Sequence, residues 1–486
     1  MSDRTKIFFR ADGSSQIGLG HVVRSCALAQ MLSENFECHF FIQSPSDSLQ
    51  KLIEQYCQYL HILPPATNIV EEAQTWVKEL DGSEIIVLDG YHFMPPYQQV
   101  IKANGNKLVC IDDIHTSPFL ADVIINHAGG ICKSAYQATP STCFYLGTDY
   151  VLLRPAFKPA NNNADRKEAV LICLGGADTH NMTLSVLKML ESKKVQQTCF
   201  VVLGSAFSHK EALLIYAAKS SLDIHIRENL SEEDLAALMQ TCKYAICPPS
   251  TISYEYLTVG GELYLVQIAD NQKHVYAFLT QTGLAFDGKD IFVDDQQKLL
   301  LSHKLQAKYF DNRSKERFIR LFSRLAEEKY YQLRAAATAD KDVLFNWVNE
   351  EEVRKNSLNS NPVSYDVHIQ WFQKKLEAKD TKIFLMEKDQ VPVGQIRIDL
   401  EENSGTALID YSIDKAFRGK GLGLTIIRSL IIHLGGIEHN IKYLKAVVKK
   451  ENTPSAQVFE ILNFERQEEQ DFNGQACNVY TFKLSV

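Results

Sequence analysis

The chain has 486 residues, 45% of them hydrophobic and 23% charged, with a formal net charge of -8 at pH 7. That length exceeds what one hydrophobic core serves, since about 100–200 residues form the usual unit, and it implies three domains. The acidic balance opposes a polyanion-binding surface, so nucleic acid is not an expected partner. The eleven cysteines include no C-x-x-C pair and no zinc-spaced histidine cluster, and they read as reduced thiols in a cytoplasmic protein. The opening stretch MSDRTKIFFR has no apolar run of signal-peptide length, and no segment reaches the roughly 20 apolar residues of a membrane span.

In chain order, KIFFR reads as a strand, followed by a helix from about 19 to 34 and the strands ECHFFI, SEIIVLDG, NKLVCIDD and DVIINH. This βα alternation predicts a parallel sheet. The polar stretch from Asn161 to Arg166 is the expected linker, and the alternation restarts with AVLICLGG, TCFVVLG, LDIHIRE, YAICPP and ELYLVQIA. Phe318, Leu321, Phe322 and Leu325 lie at helical spacing and are expected to close this second unit. From YYQLRAA onward the order is mixed: helices over DVLFNWVN and HIQWFQKKL, strands KIFLMEK, VPVGQIRIDL and TALIDYSI, then a helix from about 422 to 434, the strand YLKAVVK, the helix SAQVFEIL and the strand VYTFKLS. That suits an α+β domain with a mostly antiparallel sheet. The expected boundaries are 1–160, 161–329 and 330–486.

Three loops carry the candidate chemistry. In DGSSQIGLGHVVRS the glycines Gly18 and Gly20 lack the third glycine of a dinucleotide fingerprint. They permit a ligand to approach the backbone, with His21 on the first helical turn as a neutral base; a capping or core histidine is the alternative. In LGGAD, Gly175 and Gly176 precede a helix and could hold phosphate, or form only a tight turn. In CPPSTISYEYLTVGGELYLVQIADNQ, the hydroxyls of Ser250, Thr251 and Ser253 and the helix-start amides could grip a pyrophosphate, with Glu255 accepting both ribose hydroxyls and the polar Asn271 and Gln272 following a buried strand.

The ordered set FRADGSSQIGLGHVVR, VLDGYHF, CIDDI, LGTDYVLLRPAF, LGGAD and STISYEYL with IADNQ resembles the UDP-2,4-diacetamido-2,4,6-trideoxy-β-L-altropyranose hydrolase family of pseudaminic acid biosynthesis, over about residues 5 to 325. The resemblance implies an α/β fold of two Rossmann-like domains in a GT-B arrangement, with UDP in the cleft between them. It makes His21 the catalytic residue and places Glu255 and Asn271 in the UDP and substrate site. A pyrophosphate leaves without a proton, so one base for water and donors around the phosphates suffice. Arg10, Asp12, Gly20, Arg24, Tyr91 and Arg154 are the expected sugar or phosphate neighbours, with an Asp12–Arg24 ion pair bracing the loop as the alternative for those two. Where the family commonly has a histidine after the aspartate of the VLDGYHF stretch, the chain has Gly90.

In the last domain, YSIDKAFRGKGLGLTIIRSLI and KKENTPSAQVFEILNF together resemble the GCN5-related N-acetyltransferase (GNAT) family over about 331 to 486. The resemblance implies acetyl-CoA as co-substrate on the loop of Arg418, Gly419, Lys420, Gly421 and Gly423. Asn452 and Ser455 would lie near the pantetheine and sulfur, and the backbone around Tyr411 to Ile413, splayed by a bulge, would meet the pantetheine amides. Many members have a tyrosine as proton donor where this chain has Phe459, which leaves Tyr411, Ser455 and Tyr443 as candidates. The candidate bases are Glu350, Glu351, His368 and Asp410, while Trp347 and Trp371 read as core.

The combined expectation is a bifunctional enzyme that N-acetylates a UDP-aminosugar and then hydrolyses the sugar–UDP bond, with no resident metal. A glycosyltransferase of the same architecture and a non-catalytic nucleotide-sugar-binding module are the alternatives.

Overall fold

The computed structural model describes residues 4–14, 18–159, 166–176, 178–204, 207–292, 296–402, 404–437, 440–472 and 474–484. Most of the expected linker, 161–165, falls outside them.

The first unit runs β1 (Lys6–Ala11), α1 (Gly20–Leu32), β2 (Glu37–Gln43), α2 (Asp47–Tyr56), β3 (Tyr59–Leu63), α3 (Ile69–Val77), β4 (Ile85–Asp89), α4 (Pro95–Ala103), β5 (Lys107–Ile111), β6 (Val123–Asn126) and β7 (Cys143–Leu146). Its strands form one sheet in the order β3-β2-β1-β4-β5-β6-β7, parallel throughout. Helices cover both faces, which is why IIVLD in β4 is buried at every position instead of alternating. Local signals set the helix starts: Ser46 caps α2 through Leu49 N–H, and α4 begins with two prolines.

The second unit runs β8 (Lys167–Ile172), α5 (Met182–Ser192), β9 (Thr198–Leu203), α6 (Lys210–Ala217), β10 (Ile224–Glu228), α7 (Glu232–Thr241), β11 (Cys242–Cys247), α8 (Thr251–Val259), β12 (Glu262–Leu265), α9 (Lys273–Gln281), β13 (Phe286–Asp287), α10 (Gln296–Tyr309) and α11 (Ser314–Glu327). Its parallel sheet has the order β10-β9-β8-β11-β12-β13.

The apolar face of α11 does not close the second unit: Phe318, Leu321, Phe322 and Leu325 join the first unit's core, with Phe322 edge-on to Phe36 at 6.3 Å. In exchange Val151, Leu153 and Phe157, ahead of the linker, pack into the second unit's core. Helical spacing defines the apolar stripe but not the surface that receives it.

The third unit runs β14 (Tyr331–Ala335), α12 (Lys341–Val348), α13 (Glu351–Asn356), α14 (Tyr365–Glu377), β15 (Thr381–Lys388), β16 (Val391–Leu400), β17 (Thr406–Ile413), α15 (Leu422–Ile437), β18 (Tyr443–Lys449), α16 (Thr453–Ile461), β19 (Glu465–Arg466), β20 (Gln470–Phe472) and β21 (Gln475–Lys483). Its sheet runs β14-β15-β16-β17-β18-β21-β19, with β20 also on β21, and only β17 and β18 pair in parallel. Among the described residues no helix is long and apolar enough to cross a membrane. All cysteines are free, and only Cys132 is exposed.

Candidate functional site

In each parallel sheet the strand order reverses direction at one place, between β1 and β4 in the first and between β8 and β11 in the second. Loops leaving such neighbours diverge to opposite faces and open a crevice at the carboxyl ends of the strands. The candidate loops follow β1, β8 and β11, so sequence and topology converge on two crevices.

In the first crevice His21 is the second residue of α1, and Asp89 ends β4 opposite Ala11. His21 Nδ1 lies 2.7 Å from Asp89 Oδ1. Arg24, one helical turn on, forks onto the same carboxylate, Nη2 to Oδ1 at 2.6 Å and Nε to Oδ2 at 2.7 Å, and its Nη1 donates to Asp113 Oδ2 at 2.7 Å. Ser25 Oγ adds a bond to Asp89 at 3.2 Å. Arg24 Nη2 also lies 3.1 Å from Nδ1, but Asp89 is the closer neighbour and can only accept, so Nδ1 carries a proton toward the carboxylate. Burial pushes the Asp89 carboxyl up, and Arg24 and His21 overcome it and hold it below the ordinary value. Asp113 is likewise pushed up by burial and brought down by Arg24 and Tyr91. The exposed ring of Tyr91 stands edge-on to His21 at 4.7 Å.

The alternative Asp12–Arg24 pair does not form. Asp12 accepts from Arg10 Nη1 at 2.6 Å, Gln43 N–H at 2.9 Å and His92 Nε2 at 3.1 Å, while Arg10 forks onto Glu72. His92 thus brings an imidazole to this loop two residues after Gly90. Gly20 opens α1 at an exposed position where a side chain would meet nothing; among the described residues of the loop, Gly18 is left-handed, φ +80°.

In the second crevice Gly175, Gly176, Ser250, Ala269 and Gln272 line a cleft of ≈ 280 Å³. Asp178 caps α5 through Met182 and Thr183 N–H, and the Gln272 Oε1 accepts from Ile268 and Ala269 N–H, so both hold the cleft's rim. Ser250 and Thr251 form the start of α8. Ser253 is fully buried and gives its hydroxyl to Pro248 C=O at 2.6 Å, a bond that braces the turn and takes this hydroxyl away from a phosphate. Glu255 is 2% exposed and its two oxygens accept a fork from Arg154 at 2.8 and 2.9 Å, not free to take two ribose hydroxyls while that pair holds. Burial dominates and pushes the Glu255 carboxyl up despite Arg154. The Asn271 side chain lies outside the described residues.

The crevices are joined at their base. Gly129 N–H donates to Tyr254 Oη at 3.2 Å, and the Phe278 ring lies where any side chain at Gly129 would have to go. His127, edge-on to Tyr254 at 5.6 Å, is lowered to about 4 by burial and Arg24, and is neutral at pH 7. Asp89 and His127 were not singled out from sequence. Their signal was present in each case as a polar residue ending or following an otherwise apolar strand.

In the third unit β17 pairs with β18 only from Thr406 to Leu408, whereas its register with β16 runs unbroken from Ala407 to Ile413. The strands therefore part at Ile409 without the expected bulge toward β16. The loop before α15 faces this opening, with Gly419 and Gly421 at φ +78° and +79°. Those left-handed angles turn successive amides inward beside a helix start, a fit for a pyrophosphate. Arg418 does not extend freely toward it: Nε donates to Ile413 C=O, and the other nitrogens pair with Glu350 and Glu352. Lys420 is exposed over the Phe417 ring. Asn452 caps α16 by accepting from Ser455 N–H, and Ser455 Oγ lies 3.0 Å from Tyr411 Oη. Phe459 is buried between Tyr411, Phe464 and Tyr480. Among the candidate bases, Glu350 is paired with Arg418, Asp410 with Arg397, and His368 is buried against Lys341 C=O. Trp347 is core, its Nε1 donating to Asp414. Among the described residues no cluster of three or more His, Cys, Asp or Glu could hold a metal ion.

Comparison with known proteins assigns classes to these parts. The Acetyltransferase (GNAT) domain family matches residues 331–465, so the chain carries a C-terminal GNAT domain that takes acetyl-CoA as co-substrate. The preceding part is homologous to the UDP-2,4-diacetamido-2,4,6-trideoxy-beta-L-altropyranose hydrolase of Campylobacter jejuni, 26% identical over 289 residues, covering 58% of this chain and 99% of that protein. The spore coat polysaccharide biosynthesis protein SpsG of Bacillus subtilis is 25% identical over 310 residues, covering 62% of this chain and 88% of the relative. An uncharacterized protein of Methanocaldococcus jannaschii, MJ1062, aligns over 95% of this chain and 97% of its own length at 24% identity, matching both parts at once.

Proposed function

We propose that the chain is a bifunctional enzyme of pseudaminic-acid-type sugar biosynthesis. Its third unit transfers acetyl from acetyl-CoA to the 4-amine of UDP-4-amino-4,6-dideoxy-N-acetyl-β-L-altrosamine. Its first two units, read as a GT-B pair, hydrolyse the product with inversion to UDP and 2,4-diacetamido-2,4,6-trideoxy-L-altrose. The observation that carries the hydrolytic half is the imidazole of His21, oriented by buried Asp89 at the switch point of the first sheet.

In this reading His21 Nε2 takes a proton from water as the water oxygen bonds to the anomeric carbon and the bond from that carbon to the phosphate oxygen breaks. UDP departs with that electron pair and needs no proton at neutral pH. Asp89 stabilises the imidazolium that forms. The amides of the Gly175–Gly176 turn and the start of α8 receive the diphosphate in the cleft they line. The Campylobacter relative, a hydrolase of a UDP-sugar, supports the bond cleaved, and the alignment to the archaeal protein over both parts supports their occurring together on one chain.

His21→Ala is expected to abolish UDP release and leave acetylation intact, whereas Gly421→Val is expected to do the reverse, because its φ of +79° suits only glycine. Wild-type UDP release by the His21 variant, measured with the acetylated substrate, would overturn the assignment of the base.

A further inference from the structure

The acetyltransferase family match begins at residue 331, yet the phosphate loop of the third unit does not stand alone. Gly421 lies against α11, a helix that precedes the matched domain and packs on α1: a side chain at Gly421 would meet Arg324 Cδ at 3.0 Å and Cγ at 3.6 Å. Arg324 is buried there, paired with Glu328 and donating to Tyr145 Oη at 3.3 Å. Glu328 also receives Arg428 of α15, the helix that this loop opens, so α11 and the loop are fixed to each other twice.

Coenzyme A brings a diphosphate and a 3′-phosphate to such a loop, and phosphate oxygens are held best by charged donors. The loop's own arginine is occupied, since Arg418 donates to Ile413 C=O and pairs with Glu350 and Glu352. On α11, Arg320 stands one turn before Arg324, about 5.4 Å along the axis, and on the same face, because residues four apart lie one above the other. It is exposed, and among the described residues no ion pair or hydrogen bond engages its side chain. A buried arginine backs the loop, and an unengaged one stands a single turn away on the same helix.

We propose that α11 is a wall of the coenzyme A site and that Arg320 binds one of the ligand's phosphates, so that a helix from outside the family domain completes the acyl-donor site. Arg324 is a positioning residue, holding Gly421 against this wall. The phosphate is either the diphosphate in the loop or the 3′-phosphate of the ribose; both accept the same guanidinium fork. Arg320 serves the acyl donor whatever the acetyl acceptor, so its role depends on acetyl-CoA as co-substrate and not on the sugar.

The test is equilibrium binding of coenzyme A and of dephospho-coenzyme A, which lacks the 3′-phosphate, to the full chain by calorimetry. Arg320→Gln, a surface change, is expected to weaken coenzyme A binding by about tenfold, and Arg320→Glu by about a further tenfold. Loss confined to coenzyme A would assign the 3′-phosphate to Arg320, and equal loss for both ligands the diphosphate. The difference from wild type is expected to shrink in high salt, which screens exposed charges and would not mend a packing defect. Arg313→Gln, which removes an exposed charge at the start of α11 about two turns away, is expected to bind both ligands like the wild type. Wild-type affinity for coenzyme A in both Arg320 variants, or an equal loss in Arg313→Gln, would overturn the proposal. Failure of the sugar assignment leaves these affinities unchanged, because neither ligand is a nucleotide sugar.

Discussion

His21 and Asp89 are 68 positions apart in the chain and 2.7 Å apart in the fold. Asp89→Asn would keep the shape of the contact but accept more weakly and allow the other tautomer. We expect kcat for UDP release to fall by about 10²–10⁴-fold with CoA affinity unchanged, read from steady-state kinetics beside equilibrium CoA binding. At this scale the sequence revealed the residues better than their partners. A glycine-flanked histidine after a buried strand is visible along the chain, whereas its carboxylate arrives from a parallel neighbour strand. Arg154 and Glu255 were each legible as candidates, but their mutual pairing, across 101 positions, was not. Sequence proximity made Arg24 a plausible partner for Asp12, yet the end of β4 offers Arg24 a buried carboxylate and Arg10 claims Asp12.

Elements were legible wherever periodicity was strong. The parallel strands read as continuous apolar runs, and α11 as an amphipathic stripe. The destination of that stripe was not legible, because any apolar surface satisfies it. Phe322 is fully buried in the core it shares with α1, and truncation to Ala is expected to cost about 3–5 kcal/mol. Urea unfolding followed by a probe in the first unit should report the loss, although the residue lies beyond the second sheet in sequence. The parting of β17 and β18 likewise depends on pairing that a single strand's pattern does not encode.

Across the whole molecule, a buried ionic network joins the acetyltransferase unit to the first unit. Arg428 on α15 pairs with Asp122 and with Glu328, which also receives Lys107 and Arg324; Asp122 receives Lys102 as well. Burial pushes the Asp122 carboxyl up, but Arg428 and the two lysines bring it from 3.8 down to about 2. A carboxylate lowered on folding stabilises the native state fully above its unfolded value and ceases to do so as pH falls through the folded one. We therefore expect about 2 kcal/mol of stability to be lost between about pH 4 and pH 2, and Asp122→Asn to flatten that part of the profile, measured by denaturant titration at each pH. Apart from Arg324 and Glu328, four positions apart, these pairings were not legible in the sequence, since they link segments on different elements.

The proposed bifunctional chain would perform two consecutive reactions on one nucleotide sugar. The most direct measurement incubates the purified full chain with UDP-4-amino-4,6-dideoxy-N-acetyl-β-L-altrosamine, with and without acetyl-CoA, following nucleotide-sugar mass and free UDP in the same samples. An acetyl-CoA-dependent gain of one acetyl group followed by UDP release is the expected result. Unchanged substrate in both samples, or UDP release that needs an added sugar acceptor instead of water, would contradict it.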